Sequence, residues 1–192
     1  MKLVKFATLA LVLAAPFALA QSSTWKADSS HSEVEFVVKH GGVSNVHGHF
    51  SKVEATLIYN QNDPSKSSVK AIIPIETVNT GEQGRDNHLK ADAFFDAAKF
   101  PTATFDSTSV VKEGGRLKVT GNLTLHGVTK AVVLYVDGPE SPVENPMDHK
   151  LHSGFTATTT ISRNAFGIGT TFPAVLISDD IKLTIELEIV KQ

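Results

Sequence analysis

The sequence predicts an all-β fold: an antiparallel meander of about eight strands, closed into a barrel and interrupted by a short helical insertion. Three observations carry this reading. Apolar and polar residues alternate with period two along much of the chain. Turn-forming pairs separate the alternating runs. A single stretch, "GRDNHLKADAFFDAAKF", breaks the rhythm.

Alternation is read element by element. In "HSEVEFVVKH", Val34, Phe36 and Val38 share one face and Glu33, Glu35 and Lys39 the other. "SVKAIIPI" aligns Val69, Ala71, Ile73 and Ile75. "GRLKVTGNLTLHG" aligns Leu117, Val119, Leu123 and Leu125. In "IKLTIELEIV", Ile181, Leu183, Ile185, Leu187 and Ile189 face one way and Lys182, Thr184, Glu186 and Glu188 the other. One wet and one dry face per strand marks an antiparallel sheet, since parallel α/β strands are apolar on both faces. Gly41-Gly42, Asn62-Asp63-Pro64, Gly114-Gly115 and Asp137-Gly138-Pro139 supply turns, and Gly114-Gly115 reads as a hairpin.

The exception has helical spacing at Leu89, Ala93, Ala97 and Phe100, and Pro101 stops any helix there. Thr80 and Gln83 stand at capping-box distance. One or two short helices are expected within residues 85–99.

Lys2 and Lys5, the apolar run from Phe6 to Ala15, and Ala18-Leu19-Ala20 have the form of a secretory leader, residues 1–20. The expected domain is 21–192, exported to a periplasm. No cysteine follows the apolar run, which excludes a lipoprotein anchor, and none occurs anywhere. Core burial alone must therefore hold the exported fold together. Loss of Lys2 and Lys5 moves the formal charge from −2 to −4. That acidic balance argues against nucleic acid or an anionic membrane surface as an electrostatic partner.

Motifs for a nucleophile elbow, a phosphate loop, a zinc helix and an EF-hand are absent. His47 and His49 flank Gly48 and share a strand face, which is two ligands of the three or four a metal needs. A polar strand face is the favoured reading. Arg85, Asp86 and His88 are candidates for acid–base chemistry or for anchoring a loop. Phe36, Phe94, Phe95, Phe100, Phe105, Phe155, Phe166 and Phe172 are core, or walls of a cavity. Ala71, Ala103, Gly121 and Ala157 on a dry face leave room inside a barrel or fit its taper.

"DSSHSEVEFVVKHGGVSNVHGHF", "GRDNHLKADAFFDAAKFPTATFDSTSV", "VTGNLTLHGVTKAVVL" and "RNAFGIG…ISDDIKLTIELEIV" resemble the YceI-like family of periplasmic, polyisoprenoid-binding proteins. The resemblance implies an extended eight-stranded, lipocalin-like antiparallel barrel. It implies no cofactor and no catalysis. The ligand it implies is an isoprenoid lipid, a polyprenyl phosphate or an isoprenoid quinone, with its tail inside. Some relatives are linked to respiratory cytochromes or stress responses, so transient contact with a membrane or a respiratory protein is part of the expectation. Oligomeric state is not implied.

On this basis Phe36, Val38, Phe94, Phe95, Phe105 and Leu123 are expected to contact the tail. So are Leu125, Phe155, Phe166 and Leu183. Arg85 and His88 are placed near a rim, facing the headgroup. Two other readings compete: an enzyme acting on an isoprenoid or other lipid through Arg85, Asp86 and His88, and an interaction protein whose barrel is solid.

Overall fold

The computed structural model describes residues 22–192, so the expected leader lies outside the described residues. Twelve strands form one sheet: β1 (Ser23–Ala27), β2 (Glu33–His40), β3 (Ser44–Phe50), β4 (Glu54–Tyr59), β5 (Ser68–Pro74), β6 (Val78–Asn79), β7 (Thr102–Glu113), β8 (Arg116–Leu125), β9 (Val128–Asp137), β10 (Val143–Glu144), β11 (Leu151–Ser162) and β12 (Asp180–Lys191). A helix, α1 (Gln83–Lys90), lies between β6 and β7.

The twelve strands make an eight-staved barrel. β1 and β2 run end to end along β12, β3 and β4 along β2 and β1, and β5 and β6 along β4 and β3. Each of these pairs is one interrupted stave. β7, β8, β9, β11 and β12 are the other five, and β10 only flanks the end of β11. β12 closes the ring by pairing with β11 on one side and with β1 and β2 on the other. Closure removes the exposed edges a meander would leave. All ladders are antiparallel, as the one-sided alternation requires.

Interruptions fall where polar residues break the alternation. Residues 28–32 on the first stave face only two residues of β12, because Ala27 pairs with Ile189 and Glu33 with Glu186. The surplus loops outward and bends the stave. The hairpins match the turn signals. Gly114 and Gly115 have φ of 58° and 88°, the left-handed pair a two-residue hairpin needs. His126 and Gly127 do the same between β8 and β9, at 52° and 73°.

The inward rows form two adjoining apolar clusters. One gathers Trp25, Phe36, Phe50, Phe94, Phe166 and Leu187 with their neighbours. The other gathers Phe105, Val110, Val119, Val136 and Ala157.

The insertion carries one short helix, as expected, but the second half of the expected span is not helical. Its helix ends at Lys90, and residues 91–99 form successive turns. Ala91 is extended, Asp96 has φ of 46°, and the amides of Phe94 and Phe95 return to the carbonyls of Ala91 and Leu89. These turns bury Phe94 and Ala97 and leave Ala93, expected on the same helical face as Ala97, exposed. The expected Thr80 cap is also replaced. Glu82 is the N-cap and accepts from the amides of Gly84 (3.0 Å) and Arg85 (2.6 Å). Those two bonds hold its carboxyl below the usual range. No α1 residue is fully buried and Leu89 is its contact with the core, so end-capping supplements thin packing.

Candidate functional site

The lumen contains two apolar cavities. The lower, ≈150 Å³, is walled by Leu57, Val69, Phe105, Val119, Phe155 and Leu187 among others. The upper, ≈140 Å³, is walled by Phe36, Val38, Phe50, Phe94, Phe95 and Leu125 among others. Val34, Ile73, Leu123 and Leu183 belong to both walls and form the waist between them. An engineered void of about 150 Å³ lined by apolar side chains stays dry and takes a benzene-sized hydrocarbon. Each cavity is on that scale.

Strand parity explains why the walls are apolar. Leu117, Val119 and Leu123 on β8, Leu134 and Val136 on β9, and Leu183, Ile185, Leu187 and Ile189 on β12 are alternate residues of their strands. Small residues decide how far the lumen is filled. A Cβ on Gly121 would stand 2.3 Å from Cζ of Phe105, and one on Gly48 2.3 Å from Cζ of Phe36. Gly121 therefore makes room for an aromatic ring, which is the taper reading. Ala71 and Ala157 border the lower cavity and Ala103 the upper one.

The upper end is covered by two segments. Turns 91–99 bring Phe95 against Phe50 with centroids 5.7 Å apart, and Phe94 against Phe172 stacked at 5.1 Å. Phe172 lies in the 163–179 loop, and the amide of Gly169 bonds the carbonyl of Ala93 at 3.1 Å, tying the segments together. The burst of phenylalanines after "RDNHLK" is thus half of a cap over the lumen.

Arg163 organises the other half, and sequence reasoning missed it. Only 3 % exposed, its guanidinium donates to the carbonyls of Ser178, Ile168, Gly169, Phe172 and Ile177. Beside it, the Asp179 carboxylate accepts from the Asn164 amide and the Ser162 hydroxyl, which lowers its pKa, and the Arg163 charge adds to this. The signal in the sequence was an arginine at the end of a strand, in "ISRNAFGIG", where an apolar residue would continue the inward row.

The predicted residues are placed as follows. Phe36, Val38, Phe94, Phe95 and Leu125 wall the upper cavity, Phe105 and Phe155 the lower, and Leu123 and Leu183 both. Phe166 is buried and borders a groove on the outer wall instead. Arg85 and His88 border none of these cavities. Arg85 donates from Nε to the Thr80 hydroxyl (2.7 Å) and from Nη2 to the Thr80 carbonyl (2.8 Å). Asp86 accepts from the Thr80 amide (2.8 Å) and hydroxyl (2.6 Å). His88 packs edge-on against Phe94 at 4.9 Å. Anchoring, not a shared pocket, is what this trio does in the structure.

His47 and His49 pair with Val37 and Glu35 on β2, as a polar strand face would. Among the described residues, the group whose ligand atoms fall within 4.8 Å of one another is Asp28, His31 and Glu188. It belongs to a chain of charge across the barrel wall. His152 contacts Glu188 through Nδ1 (2.6 Å) and Asp148 through Nε2 (3.0 Å), and His31 contacts Asp28 (3.0 Å). These contacts raise the pKa of both histidines.

A closed barrel of eight staves around an apolar lumen defines a class: small-diameter β-barrels whose interior is either filled or holds one small ligand. This chain belongs to the YceI-like domain family, whose pattern it matches over residues 25–189. Protein YceI of Salmonella arizonae is 39 % identical over 166 residues, 86 % of this chain and 84 % of that protein. The crystal structure of the Campylobacter jejuni YceI protein superposes with a TM-score of 0.71 at 35 % identity, covering 80 % of this chain and 90 % of the other. A polyisoprenoid binding domain from Saccharophagus degradans, implicated in plant cell wall breakdown, superposes with a TM-score of 0.64. It covers 88 % of this chain and 98 % of its own, at 17 % identity, and so shows the shared fold.

Proposed function

We propose that this protein is a non-catalytic carrier that takes the tail of an isoprenoid lipid into its lumen, in the periplasm. The carrying observation is the pair of apolar cavities meeting at the Leu123–Leu183 waist. Family membership and the ligand named for the Saccharophagus domain support the reading. The solid-barrel alternative calls for no cavity, and two are present. For the enzyme alternative, Arg85 and Asp86 direct their polar atoms to Thr80.

Magnitudes shape the mechanism. Each methylene moved from water into the lumen is worth about 0.8 kcal/mol. A membrane offers the tail an equally apolar home, so transfer between bilayer and barrel is nearly balanced. Packing and headgroup contacts then decide the direction, which suits carriage and not permanent storage. Together the two cavities fall just short of the roughly 300 Å³ where ligand pockets begin. A long tail must therefore move side chains such as Phe36, Phe95 and Phe155. Val43, Val175 and Leu176 are exposed near one another, since the Gly41 amide bonds the Leu176 carbonyl, and they offer a point of membrane contact.

The test is native mass spectrometry with organic extraction of protein purified from its host without delipidation. A co-purifying prenyl lipid at near one per chain is expected; its absence removes the reading. Incubating that lipid with wild-type protein and with Arg85→Ala, Asp86→Ala and His88→Ala tests the enzyme alternative, and turnover lost in the variants would establish it.

A further inference from the structure

The barrel wall is incomplete at one seam. β9 and β11 are neighbours, yet they pair only at Tyr135–Thr158, Val136–Ala157 and Asp137–Thr156. Residues 128–134 of β9 ladder with β8 alone, and 159–162 of β11 with β12 alone. Beyond the unpaired stretch, the two sides meet again where His126 Nδ1 lies 3.1 Å from the Phe166 carbonyl. Between these ties lies a groove of ≈710 Å³, open to the outside.

This groove is separated from the lumen by single side chains. Val132, Thr159 and Leu183 line both the groove and the lower cavity. Ile161 and Leu183 line both the groove and the upper cavity. The unpaired seam thus lies directly outside the waist of the lumen.

Its outer lip is cationic. Lys130 belongs to the inward row of β9, Val128, Lys130, Val132, Leu134 and Val136, and pairs with Leu123 at the waist. It is the one charged residue in that row, yet it is exposed, because the groove gives its ammonium a way out. Lys182 stands across the groove on β12, paired with Thr160, beside the Thr158–Thr184 pair. The lysine ion pairs among the described residues involve Lys66, Lys70, Lys90 and Lys118, so neither lysine here is neutralised by a carboxylate. Two unpaired ammonium groups and a row of threonine hydroxyls fit a compact oxyanion. A neutral quinone carbonyl accepts hydrogen bonds from the same groups but gains no ion pairing from them, so the charges favour the anion.

Resting on the lipid reading above, we propose that the β9–β11 seam is a lateral door to the lumen, and that Lys130 and Lys182 at its mouth bind the phosphate of a prenyl phosphate. The tail enters sideways past Val132 and Leu183, and the headgroup stays in the groove. A side entry spares the tail from threading past the Phe94–Phe172 cap.

The test compares a prenyl monophosphate with the prenol of the same chain length, each supplied from phosphatidylcholine vesicles to the full barrel. Wild-type protein should prefer the phosphate by about tenfold, the worth of one good charge-assisted contact. Lys130→Glu and Lys182→Glu should erase that preference while leaving prenol binding unchanged, with Lys130→Gln as the milder control for folding. Equal binding of both ligands, or a preference that survives charge reversal, overturns the headgroup site while the lipid reading stands. If neither ligand binds, the lipid reading itself falls. Inorganic phosphate alone should bind weakly; binding as tight as the prenyl phosphate's would make this a free-phosphate site and overturn the proposal. The door has its own arm. Val133→Cys with Thr160→Cys, which continue the β9–β11 register in a cysteine-free chain, can be bridged with a short bis-maleimide. Bridging should slow uptake of both ligands, and unchanged uptake would show that the lipid enters elsewhere.

Discussion

Arg163 donates from Nη2 to the carbonyl of Phe172 at 2.7 Å, and Phe172 in turn stacks on Phe94 at 5.1 Å. A buried cation thereby fixes one half of the cap against the other. Removing the guanidinium would leave buried carbonyls without donors, at about 1–3 kcal/mol for each one stranded. Arg163→Met is expected to cost about 3 kcal/mol or more in urea unfolding. Arg163→Lys keeps the charge but offers three donors without the planar fork, and should fall between. A loss under about 0.5 kcal/mol for Met would show that the loop holds without it.

Gly48 and Phe36 form a fitted pair on β3 and β2. The three atoms nearest a Cβ at Gly48 all belong to side chains, those of Phe36 and Thr80. Gly48→Ala should destabilise by about 1–3 kcal/mol through overpacking. Adding Phe36→Leu should recover part of that loss, because the smaller side chain vacates the clash. A double-mutant cycle with no coupling would contradict this account.

At the waist, Leu183→Trp should block the passage between the cavities. Prenol uptake is expected to fall at least about tenfold while the barrel still melts cooperatively. Uptake at the wild-type level would place the tail outside the lumen.

The His152 network gives stability a defined pH window. Glu188 and then Asp148 raise the His152 pKa, and Asp28 raises that of His31. Their contribution is complete below the ordinary histidine value of 6.5 and is lost as pH rises through the raised values. The His152 contact lowers the Asp148 pKa, and the Ser30 amide, then His31, lower that of Asp28. That part is complete above 3.8 and is lost as pH falls through the lowered values. Thermal melts should therefore peak between these limits. His152→Gln should flatten the alkaline limb, which begins above the ordinary histidine value of 6.5. A limb as steep in the variant would assign it to other groups.

The sequence by itself determined the antiparallel barrel, since period-two alternation permits one dry face per stave and closure is the way to hide eight such faces and their edges. It also placed most lumen walls: Phe36, Val38, Leu123 and Leu183 sit on inward rows that parity alone identifies. Parity reads strands and nothing else, so it was blind to residues 91–99, where turn geometry buries Phe94 in place of Ala93 of the expected helical face. The rim placement of Arg85 and His88 came from the family resemblance and not from parity; Arg85 is bonded to Thr80, and His88 lies against Phe94 and Phe172 of the cap. Only the tertiary structure decided how much of the lumen is empty, because that depends on whether Phe105 leans over Gly121. The buried partners of Arg163 and the seam that leaves Lys130 unpaired were likewise decided there. Those relationships join residues far apart in the chain, and local periodicity carries no information about which distant strand fails to meet its neighbour.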